Sequence, residues 1–246
     1  MVISEKKCIV IHRRNAVSEC IKSGKAIKVF ADPRHENDSL VNLAHAKNIA
    51  ISVVPPEKLS SLCGHQPHQG LICLCPPFQT ISLNDLIAIA DKDEHPLILM
   101  LDGIEDPHNL GAILRSCDAF SIGGVIIKKV GNAPLNSTVA NISTGAIHYV
   151  PVCEVSNLNQ AITSLKQAGY WVASSDGEAD LSYQQIDYQR KLVLVVGSEG
   201  FGISKLVLRN SDYIVKIPMK GHVNSLNASV ATGILLAFAR ANQWDK

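Results

Sequence analysis

Short apolar runs alternate with amphipathic segments along most of this chain. In the C-terminal part, apolar runs of strand length are predicted at residues 97–101, 125–129, 170–174, 192–196 and 213–217. Apolar residues spaced three and four apart predict helices at residues 109–120, 135–145, 158–168, 203–209 and 225–241. This alternation predicts an α/β fold with a mostly parallel sheet and helices on both of its faces.

The first 75 residues repeat this alternation on a smaller scale. Helices are predicted at residues 15–23 and 39–47, and strands at 26–31, 49–54 and 70–75. Two prolines at 76 and 77 then interrupt the pattern, and a polar, acidic stretch with one short helical segment at 83–90 extends to residue 96. We therefore predict a small α/β domain over residues 1–76, a linker over 77–96 and a larger domain over 97–246.

The composition excludes several classes of protein. Apolar residues make up 46% of the chain, which is enough for a buried core and argues against disorder. No apolar run reaches the roughly 20 residues of a membrane helix, and the N-terminal segment has no secretory-signal pattern. The seven cysteines include no CxxC pair, so they are predicted to be buried free thiols, as in a reducing, cytoplasmic compartment.

The net charge of +1 conceals an uneven distribution. Residues 1–75 contain 10 Lys and Arg against 6 Asp and Glu, whereas residues 97–246 contain 12 of each kind. A basic small domain beside a neutral one fits a polyanionic partner such as nucleic acid. An ordinary solvated surface explains the same numbers equally well, so charge alone leaves the partner open.

The first of three informative segments, residues 101–120, has the sequence LDGIEDPHNLGAILRSCDAF. Asp106 and Pro107 are typical of a helix start, as N-cap and first helical residue. Asn109 then falls in the first turn and Arg115 off the buried stripe. An amide and a guanidinium beside a helix N-terminus can bind a phosphate or a ribose. A purely structural alternative is a capped helix in which Arg115 pairs with Asp118.

The second segment is a predicted strand followed by GSEGFG at residues 197–202. Glycines after a strand allow a ligand to approach the backbone closely. The GxxGxG spacing differs from that of dinucleotide-binding folds, and Glu199 would repel a pyrophosphate. The loop therefore favours a cationic or zwitterionic ligand, although many turns between strands and helices contain glycines.

The third segment joins Ile217-Pro218-Met219 to Ser225-Leu226-Asn227 at the predicted start of the last helix. Ser225 is a suitable N-cap for that helix. Asn227 falls in the first turn, where folding does not require an amide. His222 lies in the intervening loop without an evident carboxylate partner.

Together and in this order, DxxxDPxNxGxxxRS, GSEGxG and IPM with SLNxSxA resemble the three motifs of the SpoU/TrmH branch of the SPOUT RNA ribose 2′-O-methyltransferases. The resemblance extends from about Leu97 to Arg240 and is closest to the bacterial enzymes that methylate a guanosine ribose of 23S rRNA, the RlmB-like group. It implies S-adenosyl-L-methionine as the methyl donor, no metal, an RNA substrate, a homodimer and a C-terminal domain with a trefoil knot.

The resemblance also implies roles for individual residues. Arg115 would activate the ribose hydroxyl with help from an RNA phosphate, and because a guanidinium is a poor base, alignment and electrostatics would contribute more than proton removal. The remaining catalytic residues implied are Asn109, Glu199, Ser225 and Asn227. The cofactor-binding residues implied are Gly197, Ile217, Leu226, Ser174, Gly200, Met219 and Ser229.

Residues 8–75 resemble the small L30e-like domain with which this family holds RNA, on the evidence of Arg14-Asn15-Ala16-Val17 and His68-Gln69-Gly70. Two departures from the family pattern are Arg13, where a glycine is usual, and the bulky pair His222 and Asn224. The first is expected to alter the backbone there, and the second the cofactor pocket or the RNA entrance.

Two other functions remain open. One is the same chemistry on a tRNA ribose, against which the small domain argues, because the shortest tRNA enzymes of the family lack it. The other is a non-catalytic RNA-binding protein that retains the fold. The joint presence of Asn109, Arg115, Glu199 and Asn227 argues against that function, since binding alone would not need all four.

Overall fold

The computed structural model describes residues 8–222 and 225–244 of the chain. The chain forms two compact units. The first comprises the residues up to Gln79 together with Pro134–Tyr149, and the second comprises Thr80–Ala133 and the chain from Val150 onward. Each unit contains one sheet. Asn224, noted above as a departure from the family pattern, lies outside the described residues.

The first unit is built on a four-stranded sheet. Its elements up to residue 79 are β1 (Ile9–Ile11), α1 (Arg14–Lys22), β2 (Lys28–Ala31), α2 (Ser39–Ala46), β3 (Ala50–Val53), α3 (Pro56–Leu62) and β4 (Leu71–Cys75). The strand order is β1-β4-β2-β3, with β4 antiparallel to both of its neighbours and β2 parallel to β3. All five residues of β4 are buried, as expected for an interior strand of LICLC sequence.

The second unit is built on a seven-stranded sheet in which every pairing is parallel. The strand order is β7-β6-β5-β10-β8-β11-β9. The remaining strands of the chain are β5 (Leu97–Asp102), β6 (Gly124–Lys128), β7 (Val152–Val155), β8 (Trp171–Ser175), β9 (Leu181–Ser182), β10 (Leu192–Gly197) and β11 (Tyr213–Lys216). The remaining helices are α4 (Leu83–Ala90), α5 (Pro107–Ala119), α6 (Ser137–Ile142), α7 (Leu158–Gln167), α8 (Lys205–Arg209) and α9 (Ala228–Trp244).

These strands confirm the predicted α/β fold with a mostly parallel sheet. The central pair, β5 and β10, is buried almost throughout because helices cover the sheet, which suits their continuous apolar sequences. Helices α4, α7 and α8 pack onto the sheet through one apolar cluster, and α5 and α9 pack against each other. The strand β7 and the two-residue β9 are absent from the sequence prediction.

The segment 134–149 is assigned differently by the structure and by the sequence. The sequence prediction includes it in the larger domain, whereas it packs within the first unit through α6. The buried Asn141 accepts hydrogen bonds from the backbone N–H groups of His12 (3.0 Å) and Arg13 (2.9 Å). The Tyr149 hydroxyl donates to the Glu19 carboxylate at 2.9 Å. These contacts join residues more than 120 positions apart, which local patterns cannot show.

Most of the predicted linker is part of the second unit. Ser82 caps α4, and Leu86 and Ala90 on that helix are buried in the core formed with β6 and α7. Ile81 also pairs with Cys153 as an isolated bridge beside β7. The linker prediction therefore needs correction: the acidic residues of this stretch are typical of a solvated segment, but most of its apolar residues pack against the core of the second unit.

Two predictions from composition can be compared with the structure. Six of the seven cysteines are buried thiols, as predicted, and Cys8 is partly exposed. Across the ranges 8–222 and 225–244, no helix has both the length and the apolar character needed to cross a membrane.

Candidate active site

The three sequence motifs meet at one edge of the seven-stranded sheet. The strands β5, β10 and β11 are parallel to one another through β8, so their carboxyl ends lie at the same edge. Asp102 at the end of β5 is in register with Gly197 at the end of β10. Ligands bind preferentially at the carboxyl ends of strands in parallel α/β sheets. The segments that follow these strands therefore form the candidate site.

The loop after β10, residues 198–202, is a compact turn that we call the glycine loop. The Gly202 N–H donates to the Ser198 carbonyl at 2.9 Å, and the Phe201 N–H donates to the Ser198 hydroxyl at 3.3 Å. Gly202 has a positive φ of 64°. A Cβ at Gly197 would collide with the backbone of Gly202 and Ile203, so the turn can close this tightly only with glycine at 197.

Glu199 in the glycine loop connects all three motifs. Its Oε1 accepts hydrogen bonds from Asn109 Nδ2 at 3.1 Å and from Asn227 Nδ2 at 2.6 Å. The backbone N–H of Ala228 donates to the same oxygen at 3.2 Å, and Asn227 Nδ2 also donates to Asn109 Oδ1 at 2.9 Å. The carboxylate thus lies at the N-terminal end of α9, where the helix dipole favours negative charge.

The N-cap of α9 is Asn227. Its Oδ1 accepts from the backbone N–H groups of Ser229 (3.0 Å) and Val230 (3.3 Å), and it also accepts from the Ser229 hydroxyl. The prediction that Ser225 caps this helix is therefore wrong, because the helix begins at Ala228, three residues later than expected. Asn227 also has a folding role that the sequence prediction does not assign to it.

Asp102, whose buried carboxylate is paired with a partly exposed lysine, contacts the chain at the start of the glycine loop and just after its end. Asp102 is almost fully buried, its Oδ1 lies 2.9 Å from Lys128 Nζ, and its Oδ2 accepts from the Ser204 N–H at 2.9 Å. Burial alone would raise the pKa of Asp102, but the Ser204 and Lys128 contacts hold that pKa below its usual range. Nothing in the sequence signals this pair, because its two members are far apart along the chain.

Two clefts flank the glycine loop. The β8–β11 cleft has a volume of about 420 Å³ and lies between residues 175–178 after β8, the segment after β11 and residues 225–226. The β5–β6 cleft has a volume of about 480 Å³ and lies between residues 102–109 and the end of β6, at Lys128 and Gly131. Both volumes suit a small-molecule ligand or a nucleotide.

Most of the residues that the sequence singles out lie in these clefts. The β8–β11 cleft is lined by Gly197, Glu199, Gly200, Ile217, Met219, Ser225 and Leu226. Asn109, Glu199 and Gly200 line the β5–β6 cleft. Asn227 and Ser229 line neither cleft, but they are joined to Glu199 through the hydrogen bonds described above.

Ser174, one of the predicted cofactor-binding residues, lines neither cleft. Its side chain is fully buried, and its hydroxyl lies 2.7 Å from that of Ser211. The next residue, Ser175, lines the β8–β11 cleft instead. Successive side chains of a strand point to opposite faces, so an error of one position moves a residue from the cleft to the core.

Arg115 lies on α5 outside both clefts of its own chain. It is exposed, and within residues 8–222 and 225–244 it has no hydrogen-bond or ion-pair partner. It lies six positions after Asn109, which places the two side chains about 120° apart around the helix axis. The start of α5 is as predicted: Asp106 is the N-cap, and the His108 N–H holds the pKa of Asp106 below its usual range.

Two of the departures from the family pattern, Arg13 and His222, have little effect on the structure around them. The Arg13 backbone has φ −84° and ψ 129°, an ordinary extended conformation, so the expected alteration is small. His222 is exposed and lines neither cleft. In the part of the chain that the structure describes, no group of three or more acidic, histidine or cysteine side chains is arranged to hold a metal.

Comparison with known proteins identifies the family. A family model for the SpoU rRNA methylases matches residues 96–237, and a model described as RNA 2′-O ribose methyltransferase substrate binding matches residues 14–81. A protein of Staphylococcus haemolyticus assigned to the TrmH family of tRNA/rRNA methyltransferases is 43% identical over 234 residues, with 93% of each chain covered.

Solved structures agree in fold. An AdoMet-bound rRNA methyltransferase from Sinorhizobium meliloti aligns with a TM-score of 0.79 at 23% identity, covering 96% of this chain and 88% of the other. A TrmH/SpoU tRNA-modifying enzyme of A. aeolicus aligns with a TM-score of 0.58 at 30% identity, covering 66% of this chain and 83% of the other. The matched families and the shared fold show that this chain belongs to the SpoU rRNA methylase family and is an RNA methyltransferase.

Proposed function

We propose that this RNA methyltransferase transfers a methyl group from S-adenosyl-L-methionine to a ribose 2′-hydroxyl of RNA, and that its target is a guanosine of 23S rRNA. We further propose that it works as a cytoplasmic homodimer and needs no metal. The observation that carries the proposal is the Glu199 carboxylate, which holds Asn109 and Asn227 together between two clefts of ligand size.

The β8–β11 cleft fits S-adenosyl-L-methionine. Its apolar walls, formed by Val196, Ile203, Ile217, Met219 and Leu226, suit an adenine ring. Asp176 and Glu178 on the opposite side bring carboxylates that suit ribose hydroxyls or the cationic part of the cofactor. The close approach of the chain at Gly197 leaves backbone groups at the cleft wall free of side chains. The AdoMet-bound relative of known structure supports this choice of ligand.

The bound cofactor supplies an electrophilic methyl group, and the residues of the chain bring the ribose hydroxyl to it. Asn109 and Asn227 present amide groups at the border of the two clefts, and the Glu199 carboxylate fixes their orientation. Groups held in this way can align a hydroxyl with a reacting carbon without rearrangement during the reaction. As the hydroxyl oxygen bonds to the methyl carbon, the carbon–sulfur bond breaks, S-adenosyl-L-homocysteine leaves and the hydroxyl proton passes to an RNA phosphate. We assign to Arg115 the stabilisation of the negative charge that develops on the oxygen.

The position of Arg115 supports a homodimer. A catalytic group should lie near the reacting atoms, yet Arg115 is exposed and lines neither cleft of its own chain. A second subunit could bring its own Arg115 to the β5–β6 cleft. The apolar residues of the last helix, α9, neither support nor oppose a dimer surface there. Leu235 is buried in the core and Phe238 contacts Tyr183 and Tyr188, whereas Val230 is exposed.

Ribosomal RNA is preferred to tRNA as the substrate because of the first unit. The rRNA methyltransferase from Sinorhizobium meliloti matches 96% of this chain, whereas the A. aeolicus tRNA-modifying enzyme matches 66%. Residues 14–81, nearly all of which belong to the first unit, match the substrate-binding family model of the RNA 2′-O ribose methyltransferases. The Staphylococcus haemolyticus relative carries both tRNA and rRNA in its name, so tRNA remains the second candidate.

The experiment compares full-length protein on 23S rRNA and tRNA transcripts with radiolabelled S-adenosyl-L-methionine and a chelator present. Digestion to nucleosides and mass spectrometry identify the product. We expect 2′-O-methylguanosine from 23S rRNA alone, and a single-turnover rate at least about 100-fold lower for Arg115→Ala with unchanged cofactor affinity. A base-methylated product, methylation of tRNA only, or transfer that needs an added divalent ion would contradict the proposal. Binding of RNA without transfer would favour the non-catalytic alternative.

A further inference from the structure

The largest unexplained feature of the site is the aromatic side chain of the glycine loop. Phe201 is 98% exposed. It lies between Gly200 and Gly202, and it borders both the β8–β11 and the β5–β6 clefts. A phenyl ring that stays exposed removes almost no apolar area from water on folding, so the stability of the fold does not explain why a large apolar residue lies here.

Hydrogen bonds fix the backbone at Phe201, whereas its side chain is exposed. Its N–H donates to the Ser198 hydroxyl, and the adjacent Gly202 N–H donates to the Ser198 carbonyl. The same turn carries Glu199, which is bonded to the two asparagines of the site. The ring is therefore presented to solvent by a fixed turn next to the proposed reacting centre.

The exposure of the ring argues for a ligand that arrives from solvent. Although Phe201 borders the β8–β11 cleft, the walls of that cleft do not bury its ring, which leaves the ring open to a second ligand. Single-stranded RNA bases are commonly splayed out and stacked on exposed aromatic side chains. The adjacent β5–β6 cleft, at about 480 Å³, has room for a base.

One carboxylate in the β5–β6 cleft has no partner among the described residues. Asp102 is paired with Lys128, Asp106 accepts from the His108 N–H, and Glu199 accepts from the asparagines. Glu105 lines the cleft, is exposed, and has no such contact in the described part of the chain. Guanine alone among the RNA bases presents two adjacent donors, N1–H and the 2-amino group, to an accepting carboxylate.

We propose that the β5–β6 cleft receives the base of the acceptor nucleotide, with Phe201 stacking on the base and Glu105 accepting from the guanine edge. This inference rests on the proposed function, because it assigns the base pocket of the same reaction. It makes Phe201 and Glu105 substrate-binding residues that act on affinity and base choice, while Asn109, Glu199 and Asn227 serve the ribose.

Phe201 is tested with Phe201→Ala, Phe201→Leu and Phe201→Tyr, with Leu206→Ala as the matched control. Leu206 is an exposed apolar residue on α8 that borders neither cleft. We expect Phe201→Ala to raise the half-saturating concentration of 23S rRNA by about 5-fold to 100-fold in single-turnover assays, as for removal of one base stack. Tyr should restore the affinity, Leu should not, and the control should match wild type.

Cofactor titration and light scattering separate this role from others. We expect Phe201→Ala to bind S-adenosyl-L-methionine within about twofold of wild type and to keep the oligomeric state of wild type. The proposal is overturned if the variant loses cofactor affinity, if it loses the oligomer, if Leu substitutes fully for Phe, or if RNA affinity is unchanged.

Glu105 is tested with RNA that carries inosine, which lacks the 2-amino group, at the mapped target position. Inosine should lower the transfer efficiency of wild type by about 10-fold, and it should change that of Glu105→Ala by less than about twofold. Equal losses in both proteins would overturn the role of Glu105. If wild type shows no ribose methylation at all, the proposed function fails. If it methylates RNA and the Phe201 and Glu105 variants do so equally well, only this inference fails.

Discussion

Gly197 shows how one missing side chain shapes the proposed cofactor cleft. A Cβ there would collide with the backbone of Gly202 and Ile203, so Gly197→Val must open the turn that carries Glu199. We expect this variant to lose binding of S-adenosyl-L-methionine in calorimetry while its far-ultraviolet circular dichroism stays native. The control is Gly233→Ala on α9, where the nearest atom to an added Cβ is 3.9 Å away. Equal affinities in the two variants would mean that the turn does not shape the cleft.

Asp102 makes a second prediction at the residue scale. Its pKa is lowered in the folded protein, so its charge stabilises the fold above the pKa of the unfolded state, near 4, and this contribution disappears as pH falls through the lower folded value. Asp102→Asn should reduce the free energy of unfolding at pH 7 by about 1–3 kcal/mol. Urea unfolding at pH 7 and near pH 3 should show the difference between variant and wild type shrinking at acid pH. A difference independent of pH would contradict the role of the charge.

The sequence motifs single out residues that come together in the fold where a motif fixes their spacing. The motifs single out Asn109, Glu199 and Asn227, and the structure joins them by hydrogen bonds. Ser174 is buried while the next residue, Ser175, lines the β8–β11 cleft, because successive side chains of a strand alternate between its two faces. The pair of Asp102 and Lys128 could not be foreseen, because only the parallel pairing of β5 with β6 brings these residues together.

At the scale of elements, local periodicity locates most strands and helices of the second unit but not the packing partners of every element. The sequence assigns helix α4 to a linker because the residues around it are acidic, although Leu86 and Ala90 are buried. It assigns helix α6 to the larger domain because this helix follows β6 along the chain. The contacts of α6 with residues near the N-terminus are long-range. An amphipathic pattern indicates which face of a helix is buried, but it does not identify the element that covers this face.

Asn141 on helix α6 allows the packing of this helix to be tested. Its side chain is 3% exposed and accepts the N–H groups of His12 and Arg13, so Asn141→Ala leaves two donors without their acceptor. We expect a loss of about 2–4 kcal/mol in the stability of the first unit. Hydrogen exchange should become faster at the amides of residues 12 and 13 first. If these two amides exchange at the wild-type rate, the contact of α6 with the segment before α1 does not stabilise that segment.

At the scale of the whole molecule, the sheet of the first unit has basic residues at both of its edges. Strands β1 and β2 both run antiparallel to β4, so Arg13 and Arg34, which follow them, lie at the same edge of the sheet. Lys25 and Lys47 precede β2 and β3 at the opposite edge. The charge excess of the sequence predicts a polyanionic partner, but only the sheet topology shows which charges share an edge.

If the edge with Arg13 and Arg34 binds RNA, the double variant Arg13→Ala/Arg34→Ala should weaken RNA binding. The plot of log affinity against log salt concentration should become shallower by about 0.7–0.9 for each RNA phosphate that the variant no longer neutralises. Lys25→Ala/Lys47→Ala removes the same charge from the opposite edge and serves as the control. Equal effects of the two pairs, measured by filter binding over a range of salt, would indicate a diffuse attraction rather than a binding edge.

The proposal of a shared active site can be tested by mixing two inactive variants. Activity should return in the mixture only if each site is built from residues of two subunits. Arg115→Ala keeps its cofactor cleft, whereas Gly197→Val keeps Arg115. In a mixed dimer, the intact cleft of one subunit would meet the intact arginine of the other. Random exchange at equal amounts should then return about one quarter of wild-type activity, since half of the dimers carry one working site of two. Each variant must first be shown to dimerise by light scattering. If the mixture stays as inactive as its components, Arg115 acts within its own chain or not at all. A monomeric active enzyme would remove the shared site altogether.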